Sequence, residues 1–232
     1  MSRGPQELHP LLRQSCFVAG TDTGVGKTWV CVQLLQALAA AGCRAAGMKP
    51  VAAGAVVTSA GWRNDDALAL QAASGVPLSY EMVNPCCLLR ATAPHLAATD
   101  AGTRIEIPRI VAAYEAIKLR SELVIVESAG GWLAPIGEPA QAGLPGPTMQ
   151  EIALALQLPV VLVVGIRLGA LSHALLTAAA IARSGLPLLG WVANALDADF
   201  PDKDAYVESL QQRLDAPLLG RYGREVNALR AT

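Results

Sequence analysis

The sequence predicts an α/β fold of the P-loop NTPase-like type, a single domain with a parallel sheet and helices on both faces. Three observations carry this. Short apolar runs alternate with longer stretches of helical periodicity, the rhythm of βαβ units. Runs such as LVIV (123–126) and VVLVV (160–164) are apolar without interruption, as strands covered on both faces must be. The segment GTDTGVGKT (20–28) stands where a strand gives way to a helix, the context of a phosphate-binding loop.

In chain order, residues 1–14 are polar, lack the apolar stretch of a signal peptide, and read as a flexible tail ahead of one domain over 15–232. Strands are expected at Cys16–Ala19, Ala45–Lys49, Leu123–Glu127, Val160–Gly165, Leu188–Asn194 and Pro217–Leu219. Helices are expected at Lys27–Ala41, Asp66–Ala73, Pro108–Leu119, Thr148–Gln157, Leu171–Ser184 and Lys203–Leu214. The Gly/Pro-rich stretch Ala134 to Pro147 is longer than a tight turn needs and reads as a candidate mobile lid.

Composition narrows the function. Of 232 residues, 53% are apolar and 4% aromatic, so a core must be built from Ala, Leu and Val. The 18 Lys and Arg nearly balance the 19 Asp and Glu, a field too weak to gather a nucleic acid, so any phosphate must be held locally. The two most apolar windows are about 15 residues long where a membrane span needs about 20. Five cysteines without a C-x-x-C pair read as reduced, mostly buried thiols of a cytosolic protein. The three histidines lie far apart, which disfavours an imidazole-built metal site and favours Mg²⁺ held by oxygen.

In the phosphate loop, glycines let the backbone fold around an anion, Lys27 supplies a point charge and the Thr28 hydroxyl suits Mg²⁺. The first glycine, Gly20, lies one residue further from Gly26 than the usual spacing allows. LVIVESAGG (123–131) delivers Glu127 to the carboxyl end of a strand, where it could hold Mg²⁺ or cap a helix. MKPVAAG (48–54) does the same for Lys49, whose charge suits stabilisation of phosphoryl or carbamoyl transfer. In RNDDALAL (63–70), Asn64, Asp65 or Asp66 caps a helix, or joins the metal site. None of the four asparagines begins an N-K-x-D signature, so ATP is favoured over a guanine nucleotide.

Together and in this order, GTDTGVGKT, KPVAAG, RNDDALAL, VNPCCLL with APH, VESAGGWLAP, LPVVLVVGIRLGALSHALLTAAAI, GWVAN and APLLG resemble the dethiobiotin synthase family, from about Cys16 to Gly220. The extended loop spacing is itself typical of that family. The resemblance implies a ligase of biotin synthesis that joins 7,8-diaminononanoate and CO₂ at the expense of ATP, with Mg²⁺, in a cytoplasmic homodimer. It further implies Lys49, Lys27 and Thr23 as catalytic groups, and Thr28, Asp66 and Glu127 on the metal. The nucleotide would meet Gly24, Val25, Gly26, Lys27, Thr28, Trp29, Asp66, Glu127, Ser128, Ala129, Gly130, Asn194, Gly223, Arg224 and Glu225. The substrate would meet Ala53 and, across the dimer, the helix start at Gly169, Ala170, Leu171 and Ser172. Two positions depart from the family pattern: Ala53 replaces a frequent serine, and Ser128 adds a side chain expected close to the phosphates. The alternatives are a switch ATPase of the partitioning or cell-division positioning type, and a cobalamin-type amidation domain, for whose usual glutaminase partner 232 residues leave no room.

Overall fold

The computed structural model describes residues 9–195, 199–223 and 226–228. In chain order the elements are β1 (Cys16–Gly20), α1 (Lys27–Ala40), β2 (Ala45–Met48), β3 (Val51–Ala53), β4 (Val56–Thr58), β5 (Gly61–Arg63), α2 (Asp65–Ala73), α3 (Tyr80–Val83), β6 (Cys86–Leu88) and α4 (Pro94–Asp100). There follow α5 (Ile107–Lys118), β7 (Leu123–Gly131), α6 (Met149–Leu156), β8 (Val160–Ile166), α7 (Ala170–Ser184), β9 (Leu188–Ala195), α8 (Lys203–Gln211), β10 (Leu218–Gly223) and β11 (Val226–Ala228).

Seven strands form the central sheet in the order β11-β10-β9-β8-β1-β7-β2, parallel except where β11 pairs antiparallel with β10. Alternation along each strand divides the core in two. Phe17 and Ala19 of β1, with Leu162 and Val164 of β8, pack on the layer that holds Ile110, Ile152, Ala174 and Leu210. Their neighbours Cys16, Val18, Val161 and Val163 pack on the other layer, against Leu34, Leu35 and Leu38 of α1 and Leu70 of α2.

All six expected strands and six expected helices form, with ends displaced. β7 runs four residues beyond its expected end at Glu127, because the register against β1 shifts between Val18 and Gly20 and pairing resumes at Gly20 and Gly131. The elements absent from the sequence reading are short. β3 and β6 make a small parallel pair that buries Val51, Ala52 and Leu88, and β4 and β5 a hairpin whose Val56 and Val57 are exposed; at three residues each, none of these strands is long enough to show a period. Of the expected tail, residues 1–8 lie outside the described residues. Pro10–Leu12 form a 3₁₀ turn that buries Leu12 in the core, so the anchored chain begins earlier than expected.

The stretch read as a lid is fastened at its base. Ile136 N–H donates to Pro147 O at 2.8 Å, Met149 N–H to Ala134 O at 3.0 Å, and Ile136 is buried. Only Cys16 and Cys31 of the five thiols are buried; Cys43, Cys86 and Cys87 are half-buried, fewer buried than the sequence suggested, and all five are unpaired. Burial pushes Cys16 up to about 12 and Cys86 to about 11, and also raises Cys31, Cys43 and Cys87. Since the thiolate is the reactive form, alkylation of the native protein at pH 8 is expected to be far slower than that of the unfolded chain. Intact mass against time checks this; label incorporation at the unfolded rate would contradict it. Among the described residues no helix is long and apolar enough to cross a membrane.

Candidate active site

The sheet order brings three carboxyl-terminal strand ends side by side, because β7 lies between β1 and β2. From β1 springs the phosphate loop. Met48 of β2 pairs with Val126 of β7, so Lys49 emerges beside Glu127 although 78 residues separate them. Helix α2 then carries Asp66 to the same point, its N-cap being Asn64, whose side chain accepts from Ala67 N–H at 3.3 Å.

The phosphate loop is tied from within. Gly26 caps α1 at φ 85°, a conformation that favours glycine. Lys27 folds back so that Nζ donates to Asp22 O at 2.8 Å, and a methyl group at position 20 would meet its Cδ and Nζ at 2.9 Å. That methyl would also meet Val25 Cγ2 at 2.8 Å, so the packing of the loop against β1 favours a glycine at Gly20, the displaced first glycine of the motif. Asp22 also accepts from Thr23 N–H at 2.7 Å and pairs with Arg167 at 2.8 Å. Asn194, at the end of β9, donates from Nδ2 to Val25 O at 2.8 Å and so braces the loop from the neighbouring strands.

Charge is concentrated just behind the loop. Lys49 Nζ donates to Glu127 Oε1 and, at 3.1 Å, to Asp66 Oδ2, and lies 3.3 Å from Ser128 O. Thr28 Oγ1 donates to Glu127 Oε1 at 2.8 Å. Lys49 and Glu127 are 4% and 1% exposed, so neither charge is stable there without the other. Burial pulls the Lys49 ammonium down, but the Glu127 and Asp66 carboxylates outweigh it and hold the pKa above the ordinary lysine value. For Asp66, burial works upward and is outweighed by the charge and hydrogen bond of Lys49, which leave it below the usual carboxylate range. For Lys27 the pull of those carboxylates is the weaker side: burial first, then repulsion from Lys49, lower it to about 8.

The cluster opens on a cavity lined by Asp22, Thr23, Lys49, Ala53, Asn64, Asp66, Ala129 and Gly130, with Ala91, Ala93 and Pro94 as an apolar wall. Thr23, Lys49, Asp66 and Ala53, singled out in the sequence, are thus brought together. Ser128 departs from expectation: it is fully buried, and its hydroxyl donates to Gly130 O at 3.2 Å rather than facing the loop. Trp29 packs edge-on against Tyr222, ring centroids 4.4 Å apart, near Asn194, which pairs in register with Tyr222. Gly223 ends β10 beside them; Arg224 and Glu225 lie outside the described residues. Gly169, Ala170, Leu171 and Ser172 open α7, and none of them lines the cavity in this chain. The sequence reading passed over Gly20 as a packing requirement, Arg167, Tyr80 and Asn84; only Gly20 left a signal, its displaced spacing.

Two carboxylates and a hydroxyl are an incomplete cation cage, and among the described residues no group of three His, Cys, Asp or Glu is placed to hold a metal. Glu127 Oε2, beside Thr28 and Asp66, is nevertheless buried without a protein partner among those residues. Hard oxygen donors that leave room for waters and phosphate fit Mg²⁺.

A family model described as an AAA domain matches residues 14–224. The ATP-dependent dethiobiotin synthetase BioD of Xanthomonas axonopodis pv. citri (strain 306) is 47% identical over 205 residues, covering 88% of each chain. That of Cellvibrio japonicus (strain Ueda107) is 47% identical over 208 residues, covering 90% of this chain and 88% of its own. Among solved structures, the MinD cell division protein of Aquifex aeolicus superposes with a TM-score of 0.55 at 16% identity, covering 91% of this chain and 83% of that one, a likeness of fold alone. Identity sustained over nearly the whole length, together with a phosphate loop backed by paired charges, shows that the chain belongs to the ATP-dependent dethiobiotin synthetase family.

Proposed function

We propose that this chain closes the cyclic urea of dethiobiotin from 7,8-diaminononanoate, CO₂ and ATP, releasing ADP and phosphate. The observation that carries the reading is the meeting, at one cavity, of a phosphate loop, a buried lysine neutralised by two carboxylates, and an apolar wall suited to an aliphatic diamine. One amine captures CO₂ as a carbamate, a carbamate oxygen attacks the γ-phosphate, and the second amine attacks the mixed anhydride and expels phosphate. Each step adds or moves negative charge at oxygen and needs positioning and charge stabilisation more than proton transfer.

Lys27 exchanges the Asp22 carbonyl for phosphate and carbamate oxygens. Thr23, exposed at the cavity rim, faces the transferred phosphoryl group, and the loop N–H groups from Gly24 to Thr28 cradle the phosphates. Lys49 stabilises charge on the carbamate and on the phosphoryl group as it transfers. Thr28, Asp66 and Glu127 would hold Mg²⁺, which when bound supplies neutralisation of phosphate charge. Asn194, Trp29 and Gly223 form the adenine side.

The substrate's carboxylate would meet the α7 start of a second copy. Its first turn has no side-chain cap, and the flanking Leu168 and Leu176 are 81% and 68% exposed, as an unpartnered interface is. Unpaired thiols suit a reducing, cytosolic setting, and a net charge of −1 offers nothing to nucleic acid. The likeness to MinD is one of fold and does not favour a switch ATPase.

The test is phosphate release from Mg·ATP with the diamine, with and without bicarbonate, and the product's mass. Cyclic urea that requires all three is expected. Hydrolysis indifferent to diamine and bicarbonate would overturn the reading.

A further inference from the structure

Lys49 is followed by Pro50, so the chain here offers carbonyls but only one N–H, and Lys49 spends that one on Val83 O at 2.8 Å. The Lys49 carbonyl must find its donor elsewhere. Asn84 provides it, donating from Nδ2 at 2.6 Å, with the Cys86 carbonyl 3.2 Å from the same nitrogen. The other end of that amide, Oδ1, accepts from the Tyr80 hydroxyl at 3.0 Å. The Tyr80 oxygen in turn accepts from the backbone N–H of Asn64 at 2.8 Å, and Asn64 is the residue whose side chain caps α2. All three residues are buried, and the Arg63 guanidinium lies 4.1 Å from the centre of the Tyr80 ring.

The chain of contacts therefore runs from the backbone of Lys49 through Asn84 and Tyr80 to the first turn of the helix that carries Asp66. It joins the two segments whose side chains meet 3.1 Å apart at the cavity, through Tyr80 and Asn84, which do not line that cavity. We infer that Tyr80 and Asn84 are positioning residues: together they fix the separation of Lys49 and Asp66, and so the charge geometry of the transfer step, without touching nucleotide or substrate. The inference rests on the functional reading above. Its physical logic is that a fully satisfied buried network rigidifies what it joins, whereas a half-satisfied one lets its members drift. Nucleotide affinity should be spared, since the phosphate loop is tied through Asp22, Arg167 and Asn194 and not through this path.

Tyr80→Phe keeps the ring and removes the hydroxyl's hydrogen bonds with Asn64 and Asn84, together with its 3.4 Å contact to Cys87 Sγ; Asn84→Ala removes the donor to Lys49 O. Each variant and the double variant are compared with wild type for kcat, KM for ATP, and folded fraction by circular dichroism. In folded protein, kcat is expected to fall about 10- to 100-fold, the scale of a small misplacement of reacting groups, while KM for ATP stays within about threefold. The double variant should lose little more than the worse single one, because both break one connection. Amide exchange over residues 64–70 should quicken in Tyr80→Phe. Turnover within about twofold of wild type in the folded single variants, or losses that multiply in the double variant, would overturn the inference. If wild type itself forms no cyclic urea, the functional reading fails and the catalytic consequence with it; amide exchange then decides the connection alone, and unchanged exchange in Tyr80→Phe overturns it.

Discussion

Replacing Lys49 by alanine is expected to abolish most turnover while leaving nucleotide binding in place. The ammonium sits against Glu127 and Asp66 at the cavity wall, whereas the phosphate loop is held by other residues. Loss of one preorganised charge stabiliser costs about 3 kcal/mol or more, which is at least about a hundredfold in rate. The same change strips Glu127 of its counter-ion at a site 1% exposed, and a buried charge left alone costs about 3–5 kcal/mol. Lower thermal stability should therefore accompany lower turnover. Stability is largely recovered in Lys49→Ala/Glu127→Gln, where the buried carboxylate is neutral and only the half-exposed Asp66 has lost its partner, but turnover is not. Steady-state rates, an ATP titration and thermal melts of the single and double variants check this. A wild-type rate in Lys49→Ala would remove this lysine from the site.

For Lys27→Ala the expected signature is different. ATP affinity should weaken about 10- to 100-fold, the value of a hydrogen bond to a charged group at about 1.5–3 kcal/mol, and turnover should fall with it. Stability should hold or rise. Lys27 is buried, faces the like charge of Lys49, and is lowered to about 8 from an ordinary 10.5. A lysine whose folded pKa lies below its unfolded one weakens the folded state while charged. That penalty is full below pH 8 and fades as pH rises toward 10.5, so its removal should show most at neutral pH. Calorimetric titration with ATP and melts at pH 7 and pH 9.5 test both halves. Unchanged ATP affinity would contradict the role given to the loop.

These two lysines also show what each level of description contributed. Lys27 was legible from its neighbours alone, since glycines just ahead of a lysine and threonine, at a strand-to-helix junction, have few other uses. Lys49 was legible only as a cation after a strand; taken alone, that pattern more often marks a solvated surface group. What distinguishes it is the placement of β7 between β1 and β2, which no local pattern encodes. Ser128 shows the converse. Its position beside Glu127 suggested a side chain close to phosphate, but the hydroxyl is buried and donates to Gly130 O at 3.2 Å.

By itself the sequence determined the alternation of strands and helices, the phosphate loop and the residue types of the site, because periodicity, glycine placement and apolar runs are local properties that a chain carries unfolded. The strand order, the pairing of Lys49 with Glu127 across 78 residues, the reason for Gly20 and the path from Tyr80 to Lys49 were decided by tertiary structure. Each of these depends on the distance between groups remote in sequence, and that distance exists only once the sheet has assembled.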